Sequence, residues 1–411
     1  MQKFEVVAIH MRTVSDELKF LVGSLEQMQV MSQEQPFEIF SPVILDFWAQ
    51  VSVCLLAVKK AKSLPDVVTF AFFCRKAHLL SLAKRYRDNE LRLGRGVIFH
   101  IAPSNVPVNF AYSLLVGMLA GNANIVRVSS KTFEQVDLIC EAIQKVIARD
   151  EFMDLRDRLC ILRYERNAAL NAQLSKLADV RVIWGGDTTI AEIRKAELPA
   201  KAYDITFSDR YSFALLQAEA VLADTDLLGL ARSFYNDTYL FDQNACSAPR
   251  LVIWQGSEEK VRLAKAKFWA ALQNLLDDYA IDGVGVIDKL VTLCEHAGDV
   301  TGGRLVPTQT NKLWRVEMER LSGDLDTHRC AAGYFLEYAT EDLHEIAVAV
   351  NRKYQTLAYF GYSAQQLEIL LRQARYLGID RVVPVGRTSD FDLIWDGHDL
   401  IRSFSRVCTL W

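Results

Sequence analysis

Apolar residues recur at helical spacing early in the chain. Leu45, Trp48, Val51, Leu55 and Val58 share one face, and the stretch from Val67 to Tyr86 behaves in the same way. Residues 1–90 therefore read as mainly helical, with Asp66 placed to cap the second helix. The texture changes at Gly94. GVIFHIA (96–102) is a short apolar run rich in branched residues, which predicts a buried strand, and PSNVP (103–107) breaks it. A helix follows over 109–121, ending at Gly121, then a strand over 124–130 and an amphipathic helix over 132–150. Strands over 159–164 and 179–184 enclose a helix over 167–178, and GGDTTIAEIRKAEL (185–198) opens another. Strands alternating with helices at this spacing imply a parallel sheet with helices on both faces.

The second half repeats the alternation. Strands are expected over 249–256, 333–339, 356–362 and 380–386, and helices over 257–276, 340–353 and 364–378. Ser257 is placed to open the first of those helices as a cap, with Lys260 where a capping box has an acid. The break between halves falls near Asn236 to Asn244. The ending, SFSRVCTLW (403–411), has strand character that suits either pairing with a neighbouring subunit or closing this subunit's own sheet.

Composition narrows the class. A chain of 411 residues with 51% hydrophobic and 24% charged residues can build a large core, and two domains are the natural division. A net charge of -4 gives no overall bias toward nucleic acid or anionic membrane, so any anion site must be local. Eight cysteines are scattered without CxxC or metal-ligand spacing, and the N-terminus lacks the apolar core of a signal peptide. The expectation is a cytoplasmic protein with free thiols, no metal site and no membrane span. The longest apolar stretch, Pro42 to Val58, is interrupted by Asp46 and Gln50.

Four segments hold candidate chemistry. DQNACSAPR (242–250) sets Cys246 in a polar turn entering a buried strand, where a thiol has backbone N–H groups nearby to support an oxyanion. The residues alone leave two readings, a nucleophile or a packed cysteine at a domain junction. Asn105 in PSNVP follows a buried strand, at the sheet edge where ligands bind in open α/β folds. Its amide either donates to an oxyanion or holds its own turn. Gly185 and Gly186 sit between a strand and a helix, either admitting a phosphate or simply making the turn. VRVSSK ends a strand with Arg127, Ser129, Ser130 and Lys131 and no acid, which suits a 2′-phosphate, or a solvated strand end. The seven histidines have no paired metal spacing, and His100 reads as a core residue.

In order, GVIFHIAPSNVP, LLVGMLAGNANIVRVSSK, VIWGGD and DQNACSAPR resemble the aldehyde dehydrogenase superfamily. WGGDTTI, YLFDQNACSAP and GIDRVVPVG with WDGHDLI are most similar to its acyl-CoA reductase branch, typified by the LuxC fatty-acid reductase subunit of bacterial luminescence systems. The resemblance runs from about Gly94 to the C-terminus. It implies two Rossmann-like α/β domains with parallel-rich sheets and the active site between them. Residues 1–237 would form the helices and nicotinamide-cofactor-binding domain, 238–387 the nucleophile domain, and 388–411 a segment that packs back or contributes to oligomerisation.

Carried over, the resemblance makes Cys246 the nucleophile and Asn105 the oxyanion donor. Pro103, Ser104 and Asn105 would line the nicotinamide side. Arg127 falls where the superfamily often has a ribose-binding lysine. Ser130 falls where NAD-preferring members often have an acid, which favours NADPH over NADH. Gly185 and Gly186 fall near the pyrophosphate. Two departures matter. The general-base Glu of hydrolytic members maps to about Thr206, and no Glu occurs in 204–212. The E-x-F-G-P motif is absent from 327–335. Without a base to activate water, a thioester on Cys246 is reduced or exchanged rather than hydrolysed. The expected reaction is reduction of an acyl thioester, acyl-CoA and fatty acyl by resemblance, to an aldehyde. The alternatives are an acyl-phosphate reductase, a hydrolytic aldehyde dehydrogenase and a silent scaffold subunit. An acyl-transferring partner enzyme and homo-oligomerisation are implied by the resemblance.

Overall fold

The structure is a computed structural model that describes residues 17–86, 90–298, 303–308, 310–327 and 329–409, with the backbone alone over 296–298. His10, His328 and residues 410–411 of the strand-like ending lie outside these, as do residues 1–16 of the helical N-terminal reading.

The chain divides into two compact units. One takes the chain as far as Ser208 and again from Phe391 onward; the other is Asp209–Asp390. The first unit holds strands β1 (Lys19–Val22), β2 (Leu91–Gly94), β3 (Val97–Ile101), β4 (Ala123–Val128), β5 (Leu159–Arg163), β6 (Val180–Trp184) and β7 (Tyr203–Phe207). Its main sheet has the order β1-β5-β4-β3-β6-β7, parallel except for edge strand β1. From β3 the chain builds outward through β4 and β5, then returns to the other side of β3 for β6 and β7. That reversal is the switch point of a doubly wound sheet.

Alternation along each strand explains why both faces are covered. On β3, Ile98 packs into one apolar cluster while Val97, Phe99 and Ile101 pack into the opposite one. The helix Pro42–Ala57 buries Ile44, Leu45, Trp48, Val51 and Leu55 on the first face. The helical reading of Val67 to Tyr86 resolves into Pro65–Phe73, Lys76–Ala83 and a short 3-10 turn. Asp66 does not cap. Leu64 holds the N-cap position ahead of Pro65, and Asp66 lies in the first turn, accepting from the Val67 N–H at 2.9 Å. Proline at the first helical position already lacks the donor a cap would satisfy.

The second unit holds β8 (Tyr211–Gln217), β9 (Pro249–Gln255), β10 (Arg304–Val306), β11 (Trp314–Glu317), β12 (Tyr334–Thr340), β13 (Tyr354–Phe360) and β14 (Arg381–Pro384). The order is β10-β11-β12-β9-β8-β13-β14, parallel except for β10. The chain again starts centrally, at β8, builds to β9 and β12, and returns for β13 and β14. Residues 209–237, placed by the sequence reading in the first domain, therefore group with the second: β8 is its central strand. No helix separates β7 from β8, and only 208–210 make the connection, so the sequence pattern does not mark the change of sheet.

Two further expectations differ. Residues 340–353 do not form a helix; β12 runs through Thr340, and only a 3-10 segment Leu343–Val348 follows. Thr340 Oγ1 accepts from the Asp342 N–H and Asp342 from the His344 N–H, both at 2.9 Å, so local side chains take the amides a helix would need. Ser257 precedes the Glu258–Gln273 helix without a side-chain cap bond. The strand Ser405–Cys408 pairs antiparallel with β2 of its own chain. Among the described residues no helix is long and apolar enough to cross a membrane.

Candidate active site

Each unit carries one set of candidate residues. In the first unit a cleft of about 580 Å³ opens at the carboxyl ends of the strands, lined by Ile101 from β3, Arg127 from β4, Arg166 and Asn171 after β5, and Thr188 and Thr189 after β6. The helices Ala168–Ser175 and Asp187–Arg194 border it. Asn167 caps the first, accepting from the N–H groups of Ala169 and Leu170 at 2.9 and 3.0 Å. Arg127 reaches the cleft because strand alternation buries Val126 and Val128 and leaves it half-buried. Its guanidinium lies 5.0 Å from the Tyr164 ring and donates to the Tyr164 carbonyl at 3.2 Å. Tyr164 is itself fixed by a 2.6 Å bond to Asn171. The Arg127 Nε is buried without an acceptor, so the cleft holds a positioned cation with unspent donor capacity.

The other residues expected at this end are distributed as follows. Pro103 is half-buried, and Ser104 and Asn105 are exposed in the turn after β3. The Ser129 hydroxyl is buried and accepts from the Lys131 N–H at 3.2 Å; Ser130 is half-buried and Lys131 exposed. Gly185 and Gly186 lie in the turn after β6, and Gly186 has ordinary extended dihedrals. None of these lines the cleft. Arg166, Thr188 and Thr189 were not singled out from sequence; the Arg-Asn pair just past a strand was the available signal. His100 is fully buried, 2.7 Å from Ser113 Oγ and 3.0 Å from Asn124 Oδ1, and burial pulls its pKa down to about 4. It is a neutral core residue.

In the second unit Cys246 lies at the amino edge of the sheet, in the loop between the Leu227–Thr238 helix and β9. It is half-buried, while Cys74, Cys140, Cys160 and Cys330 are buried. Burial pushes the Cys160 thiol up to about 12 and raises those of Cys74 and Cys140 further. Such thiols are poor nucleophiles.

The loop around Cys246 is fixed from several directions. Asp242 and Gln243 both adopt left-handed backbone, with φ of 50° and 56°. Neither is glycine, so the conformation must be held by its surroundings. Gln243 supplies the hold. Its side chain is fully buried; Oε1 accepts from the N–H groups of Gly333 and Tyr334 at 2.7 and 3.1 Å, and Nε2 donates to the carbonyls of Pro249 and Tyr334 at 3.1 and 3.2 Å. This single amide joins the Cys246 loop to the start of β12. Ser212 of β8 donates to the Cys246 carbonyl at 2.8 Å and accepts from the Thr356 N–H at 3.2 Å. Arg250 donates to the carbonyls of Gln243 and Cys330 at 2.5 and 3.2 Å. Sequence reasoning missed all three. A glutamine and an arginine flanking a short turn look like surface residues until the fold buries the first and half-buries the second.

Two sheets of the same winding define an aldehyde dehydrogenase fold. The structure superposes on lactaldehyde dehydrogenase with a TM-score of 0.65 at 12% identity, over 93% of this chain and 88% of that one. The family model for acyl-CoA reductase (LuxC) matches residues 55–407, and the chain belongs to that family. It is 23% identical to the long-chain acyl-protein thioester reductase of Photorhabdus luminescens over 325 residues, 77% of this chain and 63% of that protein. It is 24% identical to the enzyme of the same name from Aliivibrio fischeri over 315 residues, 74% of this chain and 61% of that protein. The match thus spans about three fifths of these relatives.

Proposed function

We propose that the chain reduces an acyl thioester to an aldehyde through a covalent acyl intermediate on Cys246. What carries this reading is the placement of Cys246: half-buried, in a loop fixed by Gln243, Ser212 and Arg250, in a chain of the acyl-CoA reductase family. The Cys246 sulfur, as thiolate, forms a bond to the acyl carbonyl carbon. The original thiol leaves with the electron pair of its own carbon–sulfur bond. The developing oxyanion needs donors, and the Asn105 amide and the Cys246 N–H are assigned that role from the family motif. A nicotinamide cofactor, held by the first-unit cleft, would supply the hydride for reduction of the acyl carbon. The bond to Cys246 then breaks, restoring the thiolate and releasing the aldehyde. With Thr206 where hydrolytic members have Glu, water is not activated against the thioester.

The first-unit cleft fits a phosphate-bearing nucleotide. Arg127, Arg166 and Lys195 line it, Lys195 paired with Glu192 at 2.6 Å, which leaves the two arginines as cations without a carboxylate partner in the cleft; Thr188 and Thr189 lie in the first turn of the Asp187–Arg194 helix, where the dipole favours an anion. Ser129, Ser130 and Lys131 follow β4 without a carboxylate that would repel a 2′-phosphate, which supports NADPH over NADH. Pro103, Ser104, Gly185 and Gly186 are assigned to the nicotinamide and pyrophosphate by motif. The acyl donor is assigned as acyl-CoA or another fatty acyl thioester, the cell compartment as cytoplasm, and an acyl-transferring partner and a homo-oligomer as the assembly.

The test is NADPH oxidation over acyl-CoAs of graded length, with NADH and an acyl phosphate as comparisons, alongside labelling by radiolabelled acyl-CoA. The expected result is NADPH-dependent aldehyde formation and one labelled cysteine, lost in Cys246→Ala. Labelling that persists in Cys246→Ala sinks the covalent role, and turnover with acyl phosphate alone reassigns the donor.

A further inference from the structure

The carbonyl of Cys246 and the N–H of Ser247 belong to one peptide group, and the structure fixes that group through its carbonyl. Ser212 Oγ donates to the carbonyl at 2.8 Å and accepts from the Thr356 N–H at 3.2 Å, so β8 and β13 together pin it. Ser212 and Thr356 are both buried. A trans peptide is planar, with its C=O and N–H pointing in opposite directions, and no cis peptide occurs among the described residues. Fixing the carbonyl toward Ser212 therefore aims the Ser247 N–H away from Ser212.

The turn around this peptide sets the same direction. The Ala248 N–H donates to the Ala245 carbonyl at 3.0 Å, closing a β-turn with Cys246 and Ser247 at its centre. Neither central residue has a positive φ. A hydrogen-bonded turn with trans peptides and both central φ negative is type I, with both residues near the right-handed helical region. Successive N–H groups then point to one side, as in the first turn of a helix, where they receive anions. The Cys246 and Ser247 amides are thus neighbours on the face opposite the pinned carbonyl. Ser247 is 4% exposed, and its N–H meets no acceptor among the described residues. A buried amide without a partner is rare, because the water it gave up has not been replaced. Beside a half-buried thiol that is the candidate nucleophile, the acceptor this amide fits is an oxygen brought by the substrate.

We propose that the Ser247 N–H is a second backbone donor to the oxyanion, and that Ser212 is the positioning residue that aims it. Both roles rest on Cys246 being the nucleophile of the proposed reduction. As the Cys246 sulfur bonds to the acyl carbon, the π pair of the acyl carbonyl moves onto its oxygen, and that oxygen accepts from Ser247. No proton is transferred. When the original thiol leaves with its electron pair, the pair on oxygen re-forms the carbonyl and the hydrogen bond weakens. This donor adds to the Asn105 amide and the Cys246 N–H, and it comes from the nucleophile's own turn.

The test compares two reactions of Cys246 in the full-length protein, with peptide mass spectrometry to locate each label. Acylation by p-nitrophenyl acetate passes through an oxyanion; alkylation by iodoacetamide does not. Lactic acid placed at position 247 by nonsense suppression removes the N–H, and Ser247→Ala is its reference, because the two differ only in an ester oxygen where the amide stood. The ester protein should acylate about a hundredfold more slowly than Ser247→Ala and alkylate at the same rate. Ser212→Ala should slow acylation roughly tenfold with alkylation preserved, and Ser212→Thr, which keeps the hydroxyl, should recover it. Equal acylation of the ester protein and Ser247→Ala overturns the proposal and leaves Cys246 as nucleophile. An equal fall in both reactions also overturns it, because the loop would have moved as a whole. Should the ester protein not fold, the Ser212 variants decide: an unchanged ratio of acylation to alkylation in Ser212→Ala overturns the proposal. A wild-type protein whose Cys246 is alkylated but never acylated removes the covalent reading, and the proposal with it.

Discussion

The two units are wound alike and used differently. In both, the chain starts at an inner strand, β3 or β8, and lays two parallel strands on one side; the other side carries two parallel strands in the first sheet and three in the second, and each of these ends in an antiparallel edge strand. In the first unit the candidate residues gather at the carboxyl ends of the strands, where doubly wound sheets bind ligands. There the N-terminus of the Asp187–Arg194 helix supplies donors, while Asn167 takes those of the Ala168–Ser175 helix. In the second unit the candidate nucleophile lies at the amino edge, in the loop that enters β9. The Leu227–Thr238 helix leads into that loop with its C-terminal end, the end of the dipole that does not favour an anion, so the position is built from side chains, and Gln243, Ser212 and Arg250 build it. One winding thus yields an inherited site at one edge and a constructed one at the other.

Gln243→Ala should break the constructed site with the largest effect. It leaves the N–H groups of Gly333 and Tyr334 and the carbonyl of Pro249 without their buried partner, at about 1–3 kcal/mol for each group that water does not reach. Unfolding of the second unit in urea should become easier by roughly 3 kcal/mol, and Cys246 alkylation should lose its selectivity over the other cysteines. NADPH affinity should stay near wild type. Equal loss in both measurements would show that the two edges are not independently held.

The buried titratable groups sharpen the contrast, because they carry opposite signs. His100 in the first unit has its pKa lowered by burial to about 4. Between there and the unfolded value of about 6.5 the unfolded chain binds more protons, so its contribution to stability rises with pH. Asp237, in the helix that leads to the Cys246 loop, has its pKa raised by burial to about 6, although it accepts from the N–H groups of Gly386 and Thr388 at 2.5 and 2.9 Å. Between about 3.9 and 6 the folded chain binds more protons, so its contribution falls as pH rises. Each should amount to about 3 kcal/mol across its window. Asp237→Asn should therefore make stability rise more steeply from pH 4.5 to 7 than in the wild type, as read by urea denaturation at several pH values. A flatter rise would mean that Asp237 titrates with the opposite sign.

The contrast also explains what could be read from the sequence. Branched apolar runs such as GVIFHIA and PRLVIWQG announce strands, because a strand buried on both faces tolerates little else. The first-unit cleft was half legible: Arg127 stood out at a strand end, while Arg166 and the threonines enter only when two helices converge. Cys246 was legible through its motif. Its support was not, because Gln243 and Arg250 act on the 330–334 segment some 80 to 90 residues away, and polar residues beside a turn carry no sign that they are buried. The boundary at 237 was misplaced for a related reason. β7 and β8 follow each other without a helix, so periodicity does not reveal that the chain has changed sheets.

The inherited site offers the mildest test. Arg127 is held by the Tyr164 ring and carbonyl, so its cation is positioned before any ligand arrives; Arg166 is exposed at the rim and must be ordered on binding. If Arg166 receives the 2′-phosphate, Arg166→Ala should weaken NADPH roughly tenfold, the scale of one charge-assisted contact less its ordering cost, and leave NADH nearly unchanged. Arg127→Ala should weaken both, because Arg127 sits deeper in the cleft at the end of β4, where the ribose is expected. Titration of each variant with both cofactors by fluorescence separates the roles. Equal weakening of NADPH and NADH by Arg166→Ala would assign that residue to the shared part of the cofactor and leave discrimination to the strand end at Ser130.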